Sequence, residues 1–308
     1  MGALAAAPTV ACGQDLEPRA YANTPVGLNF LLAGYVYTQG NVGVDPSLHV
    51  TDLTIRTHGP VLAYARTLDV WGRSGKLEMI SPYAWLSGSA KVAGRERDRE
   101  VSGFADPRMR FSVNLYGAPS LSMEQFSEYK QDLIVGASLQ VSAPLGQYDS
   151  DKAVNIGTNR WSFKPELGFS KALGPVTLEV LPSVTIFTDN NDFFGGKHVA
   201  QDPIYSVQGH LIYRFDFGAW VALDSTYYTG GRTTVDGVRK DDRQENARLG
   251  ITVALPLDRH FSLKLYGSTG IYTRTGSTFD AAGIALQFRW GGGLWGWGSR
   301  RPDKTRQP

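Results

Sequence analysis

The sequence has a single cysteine, Cys12, so no disulfide framework within the chain is available. It contains no apolar run of roughly 18 residues, which excludes a membrane-spanning helix. That absence leaves a membrane barrel open, because a barrel strand carries an apolar face on one side only. The net charge is +2 over 308 residues, too balanced for a nucleic-acid partner. No helical periodicity of useful length is present; Ser120 to Gln131 offers one short turn at most. The histidines, His49, His58, His198, His210 and His260, show no HExxH spacing and no close pair, so neither a metal nor a cofactor is expected. Gly195-Gly196 and Gly230-Gly231 open no helix after a strand and cannot cradle a phosphate. The acidic stretch Asp189-Asn190-Asn191-Asp192 reads as a solvated loop.

What is present suits strands and turns: 35 glycines, 14 tyrosines, 14 phenylalanines and 7 tryptophans. The clearest stretch is Asn159 to Asn190. Trp161, Phe163, Pro165, Leu167 and Phe169 share one face, and Ser162, Lys164, Glu166, Gly168 and Ser170 share the other. After a turn at Ala172 to Pro175 the alternation resumes, with Leu178, Val180, Pro182, Val184 and Ile186 against Thr177, Glu179, Ser183 and Thr185. A period of two is a β-strand signature. Such a hairpin fits a soluble sheet on a core or a barrel wall between lipid and a wet lumen.

Twelve such segments can be marked between Val26 and Trp290. The first places Leu28, Phe30, Leu32 and Val36 on one face; the second places Arg56, His58 and Arg66 on its polar face. The connections mostly alternate long and short. The long ones, Gln39 to Asp52 and Lys91 to Gly103 among them, are polar and glycine-rich; the short ones lie near Asp69, Leu173, Asp216 and Asp258. Gly117 to Gln131 is longer than its class. Long loops at one end and short turns at the other predict an all-β, transmembrane antiparallel β-barrel of about 12 strands, with extracellular loops and periplasmic turns, in the outer membrane of a Gram-negative bacterium. Residues 26–290 form the expected barrel, after a periplasmic segment 14–25 and before a flexible tail 291–308. Residues 1–13 read as the remnant of a secretory signal peptide, with Ala11-x-Gly13 as the cleavage site; the alternative, a lipoprotein acylated at Cys12, is disfavoured by Thr9.

Strand parity then sorts the side chains. Arg56, Arg108, Arg110, Asn114, Lys164, Glu166, Glu179, Gln208, His210, Arg214, Asp224, Arg248, Lys264 and Arg289 are expected to line the pore, together with His58, Arg66, Asp106 and Gln140. Charged groups at bilayer depth need water or partners, which is why they turn inward. Trp85, Trp161, Tyr205 and Tyr227 near the long-loop ends, and Phe169, Tyr213, Phe261 and Trp290 near the short-turn ends, are expected to form two aromatic girdles. The lumen charges either set which solutes pass or pair with one another and fill the space.

Six stretches carry a family resemblance: GFADPR (Gly103 to Arg108), NLYGAPSL (Asn114 to Leu121), APLGQYD (Ala143 to Asp149), NIGTNRWSFKPELGFS (Asn155 to Ser170), FTDNNDFFGG (Phe187 to Gly196) and QDPIYSVQGHLIY (Gln201 to Tyr213). Weaker similarity runs from Leu16, through LEPRAYANTPVGLNF, to Trp290. In these the chain resembles the outer-membrane transporters of the MetA-pathway phenol-degradation family. The resemblance implies a channel for aromatic or other hydrophobic compounds and brings no catalytic residues. The expected function is therefore passive uptake of a small-molecule solute, by a protein that is not an enzyme. Its other partners would be outer-membrane lipid and the barrel assembly machinery, recognised through the last strand ending Phe288-Arg289-Trp290. Two alternatives stand beside it. One is a barrel enzyme of lipase or protease type, with His210 beside Asp224; the other is a structural or surface-binding barrel with a blocked lumen.

Overall fold

The computed structural model describes residues 17–40, 51–92, 95–275 and 278–294. The expected signal remnant and most of the expected tail lie outside the described residues. A closed antiparallel barrel of twelve strands dominates the described residues. Its strands are β1 (Leu28–Gly40), β2 (Thr51–Val70), β3 (Arg73–Val92), the pair β4 (Arg95–Phe104) and β5 (Arg108–Tyr116), β6 (Leu133–Ser142), β7 (Ser162–Leu173) and β8 (Val176–Phe187). After the short loop strands β9 (Asn190–Phe193) and β10 (Lys197–Gln201) follow β11 (Ile204–Arg214) and β12 (Trp220–Gly230). Two more loop strands, β13 (Thr233–Val235) and β14 (Val238–Arg239), precede β15 (Gln244–Pro256), β16 (Phe261–Thr273) and β17 (Phe279–Gly291). Each barrel strand pairs with its sequence neighbours, and β1 closes the ring by pairing with β17 from Leu28↔Gly291 to Gly40↔Phe279. Closure pairs the strands of the ring on both sides, the condition for a sheet to sit in lipid; among the described residues the β4 piece is paired on one side, to β3.

β4 and β5 are one barrel strand in two pieces, both paired to β3. The break falls at Ala105-Asp106-Pro107. Pro107 has no N–H for the ladder, and the buried Asp106 carboxylate turns inward. There it accepts from Gly146 N at 2.9 Å, Thr158 N at 2.8 Å and Thr158 Oγ1 at 2.6 Å. That one side chain folds the 143–161 connection against the inner wall, where Ile156 packs with Ile55, Ala84, Leu86 and Ala105.

The short connections are tight. β2 turns into β3 through Trp71 and Gly72, with φ of 52° and 78°, the left-handed pair that a two-residue hairpin needs. The long member of that class, between β5 and β6, holds a one-turn helix, α1 (Met123–Phe126). Ser122 caps it in a reciprocal box: Gln125 N donates to Ser122 Oγ at 3.3 Å, and Ser122 N donates to Gln125 Oε1 at 2.9 Å. At the opposite end, β9, β10, β13 and β14 form a small sheet from two of the long connections.

Candidate functional site: the barrel interior

Alternation decides what enters the barrel. Along β5, Arg108, Arg110, Ser112 and Asn114 are buried while Met109, Phe111 and Leu115 are exposed. Along β7, Ser162, Lys164, Glu166 and Ser170 are buried while Phe163, Leu167 and Phe169 are exposed. Glu179 on β8, Gln208 and His210 on β11, Asp224 on β12, Arg248 on β15 and Lys264 on β16 are buried in the same phase. An outer face that is apolar between rings of aromatics is a face for lipid. Trp85, Trp161, Tyr205 and Tyr227 are exposed on it near the long-loop end. Phe169, Tyr213 and Trp290 are exposed and Phe261 is half-buried near the short-turn end, where Phe288 stacks on Trp290 and contacts Phe261.

The interior has two unlike walls. The polar wall is a linked set of charges. Arg110 Nη2 pairs with Glu166 Oε1 at 2.6 Å, and its Nε donates to Ser138 Oγ at 3.1 Å. Lys164 Nζ stands 3.8 Å from Glu166 Oε2, and Lys76 Nζ 2.9 Å from Glu78 Oε1. His210 Nδ1 lies 2.7 Å from Asp224 Oδ1, and Thr252 Oγ1 donates to Asp224 Oδ2 at 2.6 Å. Arg248 donates to Phe279 O and Ser268 Oγ, both at 2.8 Å. His210 Nε2 and Lys264 Nζ are buried with no hydrogen-bond partner among the described residues.

The second wall is apolar. On β1, Leu28, Phe30, Leu32 and Val36 face inward; with Val61, Ala63 and Ala65 of β2, Ile80 of β3 and Ala285 of β17 they form one buried cluster. Met123 of α1, Tyr266 and Leu294 pack against it. This reverses the expected sense of β2. Arg56 and Arg66 are exposed on the outer face rather than in the lumen. His58, also expected inside, joins the outer aromatic ring: Tyr35 Oη lies 2.5 Å from its Nδ1, and its ring stacks on Trp85 at 5.5 Å. The physical reason is position. Arg56 and Arg66 lie toward opposite ends of β2, where long cations reach water from an outer face. Its middle outward residues are Pro60 and Leu62. Arg214 and Arg289 keep the inward phase but sit at the short-turn rim, exposed and half-buried respectively.

The largest departure concerns the segment before β1. Residues 17–25, expected in the periplasm, lie inside the barrel. Glu17 pairs with Arg110, and its N–H donates to Gln208 Oε1 at 3.2 Å. Arg19 N donates to Glu179 Oε2 at 2.7 Å, and the Arg19 guanidinium lies over the Trp220 ring. Tyr21 Oη donates to Ser138 Oγ at 3.0 Å and to Glu166 Oε1 at 3.2 Å. Lys76 Nζ and Asn114 Nδ2 donate to the carbonyls of Ala20 and Tyr21, at 3.1 and 3.2 Å. Parity singled out the wall residues, but Glu17, Arg19 and Tyr21 were missed because a strap has no period to read. Small voids lie between the walls. One, of about 20 Å³, is bounded by Val36, Val61, Leu86 and Ile156; another, of about 10 Å³, by Glu78, Arg108 and Gln140.

Comparison with known proteins follows this geometry. The COG4313 outer membrane channel from Pseudomonas putida F1 superposes with a TM-score of 0.76 at 21% identity, covering 90% of this chain and 100% of that one. The transport unit of the autotransporter AIDA-I from Escherichia coli is more distant. Its TM-score is 0.51 at 7% identity, over 87% of this chain and 92% of that one. The β domain of the Bordetella autotransporter BrkA gives 0.51 at 10% identity, over 86% and 100%. These likenesses establish the fold. No curated relative matches by sequence. The family model described as "Putative MetA-pathway of phenol degradation" matches residues 29–288, from the first strand to the last, and the chain belongs to that family.

Proposed function

We propose that the protein is an outer-membrane channel for passive entry of small molecules, with aromatic or other hydrophobic compounds as its solutes. The observation that carries this reading is the inward-facing apolar wall of Phe30, Leu32, Val36, Val61 and Ile80. A water-filled porin lumen is polar all round. Here a polar wall faces an apolar one, a pairing suited to a solute with a greasy body and a polar group. The long loops face the exterior and the short turns the periplasm. The last strand, β17, serves assembly through Phe288 and Trp290. Membership of the phenol-degradation family supports aromatic solutes, and transport follows the gradient.

The strap of residues 17–25 supports a second reading, a barrel with a blocked lumen. In the channel reading that strap moves aside; in the other it stays. Proteoliposome flux separates them, with a small phenol and a sugar of similar size as solutes. The channel reading expects phenol flux that rises when residues 17–25 are deleted. A folded barrel that passes neither solute, with or without the strap, overturns it. The non-enzymatic reading rests on the family and on the burial of the His210–Asp224 pair in the wall. Esterase and protease assays with His210→Ala as control test it.

A further inference from the structure

On the outer face at the long-loop end, a cleft of about 400 Å³ opens between β11, β12 and the loop sheet. Its floor is Tyr205 and Thr229, cross-strand partners that both point away from the lumen. Its sides carry Arg232, Arg239 and Arg243, with Asp202 beside them. The loops that present these arginines are fixed. Asp242 is buried and accepts from Thr233 N at 2.9 Å and Thr233 Oγ1 at 2.5 Å, Asp202 N donates to Arg232 O at 2.9 Å, and Gly231 N donates to Pro203 O at 3.0 Å. The guanidinium groups themselves are loosely held. Arg239 pairs with Asp202 at 2.6 Å, both more than two-fifths exposed, and Arg232 touches the exposed Asp241 at 3.3 Å. Arg243 donates to Thr229 Oγ1 at 3.1 Å and has no carboxylate partner among the described residues. Below the cleft, Glu245 is engaged by Tyr227 Oη at 3.1 Å and lies 3.9 Å from Arg274.

We propose that this cleft binds the phosphate groups of an outer-leaflet glycolipid, whose acyl chains run down the barrel wall below Tyr205. Arginine forks match phosphate oxygens in pairs. Exposed ion pairs such as Arg239–Asp202 contribute little, so exchanging a carboxylate for a phosphate costs little. The cleft sits at the level of the long-loop aromatic girdle. Under it the outer face continues through exposed Val207, Tyr227 and Leu223, an apolar track for acyl chains. A soluble anion would have no use for that track; an anchored phosphate uses both parts.

The inference rests on the long-loop end facing outward, so orientation is read separately, by surface labelling of Val238→Cys in a Cys12→Ser background on intact cells. Lipid retention is then measured by native mass spectrometry of the full chain in detergent, with diphosphorylated lipid A, phosphatidylethanolamine and inorganic phosphate as probes. The expected result is retention of diphosphorylated lipid A over phosphatidylethanolamine. Arg239→Gln and Arg243→Gln should each weaken it by about tenfold, the loss of one charged hydrogen-bonding group. Arg243→Gln, which breaks the contact to Thr229, suffices alone if Arg239→Gln fails to fold. Undiminished retention by Arg243→Gln with the expected surface labelling overturns the inference. So does full competition by inorganic phosphate, which would make the cleft a site for soluble anions.

Discussion

Tyr21 lies flat against Gly168: a Cβ built on that glycine would fall 2.1 Å from the tyrosine ring carbons. A Cβ built on Gly136, its cross-strand partner on β6, would fall 2.3 Å from the same ring. Two lumen-facing glycines on adjacent strands thus form a slot that only a position without a side chain can supply. Gly168→Ala should expel Tyr21 and with it the strap. The overpacking cost is about 1–3 kcal/mol if the ring stays and strains. Arg19 sits in the lumen against Glu179 and Trp220, so trypsin should cut after it at least several-fold faster in Gly168→Ala than in the wild type. Tyr21→Gly/Gly168→Ala should show no further gain over Tyr21→Gly alone. Independent effects in that double-mutant cycle would count against the slot.

Arginines on the two faces of the wall should behave oppositely. Arg110 is buried between Glu17 and Glu166, so Arg110→Gln strands carboxylates in the interior. Breaking such a network from one side costs about 3–5 kcal/mol. Arg56 is exposed on the outer face, and Arg56→Gln should stay within about 0.5 kcal/mol of the wild type. Urea titrations of both variants in lipid vesicles read the contrast directly. Equal losses would place Arg56 in the lumen after all.

The uneven legibility of the sequence has a physical basis. The twelve strand positions and the alternation of long and short connections were readable because a barrel strand writes its two solvents into every second residue. β7 shows this best: Lys164 and Glu166 inside, Phe163 and Leu167 outside. The reading failed on β2, where Arg56, His58 and Arg66 led the charge-inward rule to the wrong face, and it left β1 unassigned, because both faces of β1 are largely apolar. Leu28, Phe30 and Leu32 line the lumen while Leu31, Ala33 and Tyr35 meet lipid, and no rule of charge inward can choose between them. The strap was also invisible to periodicity. Its only trace was that LEPRAYANTPVGLNF resembled the family, a signal about ancestry rather than place.

The turn between β15 and β16 carries a pH-dependent contact outside the membrane. Asp258 Oδ1 accepts from His260 N at 2.6 Å and Phe261 N at 2.7 Å. Those backbone donors hold its carboxyl below the ordinary aspartate range. A lowered folded value means the contact stabilises the turn above the unfolded aspartate range and is lost as pH falls through the folded value. The amide resonances of His260 and Phe261 in micelles should therefore titrate together, with a midpoint below that of a free aspartate. In Asp258→Asn the acid transition should vanish. A midpoint at or above the free value would show that the carboxylate is not held by these amides.

The outermost consequence of the alternation is at Leu167, mid-strand on β7 and exposed on the lipid face between Pro165 and Phe169. Its neighbours Glu166 and Gly168 point inward, and three residues on Ser170 does too, so the same strand offers a lipid-facing and a lumen-facing position for comparison. Leu167→Arg sets a cation against hydrocarbon, and near the bilayer midplane that costs about 2–4 kcal/mol. Ser170→Arg would place the same group in the lumen, within reach of Glu179, to which Ser170 Oγ donates at 2.9 Å. There the charge finds a carboxylate, and the penalty becomes one of crowding alone. Folding equilibria into lipid vesicles of increasing thickness separate the two. The Leu167→Arg loss should grow as the bilayer thickens and the residue sits deeper in hydrocarbon. The Ser170→Arg loss should not depend on thickness, because a lumen position never meets the lipid. Thickness-independent losses for both variants would mean that the face carrying Leu167 is not in contact with acyl chains.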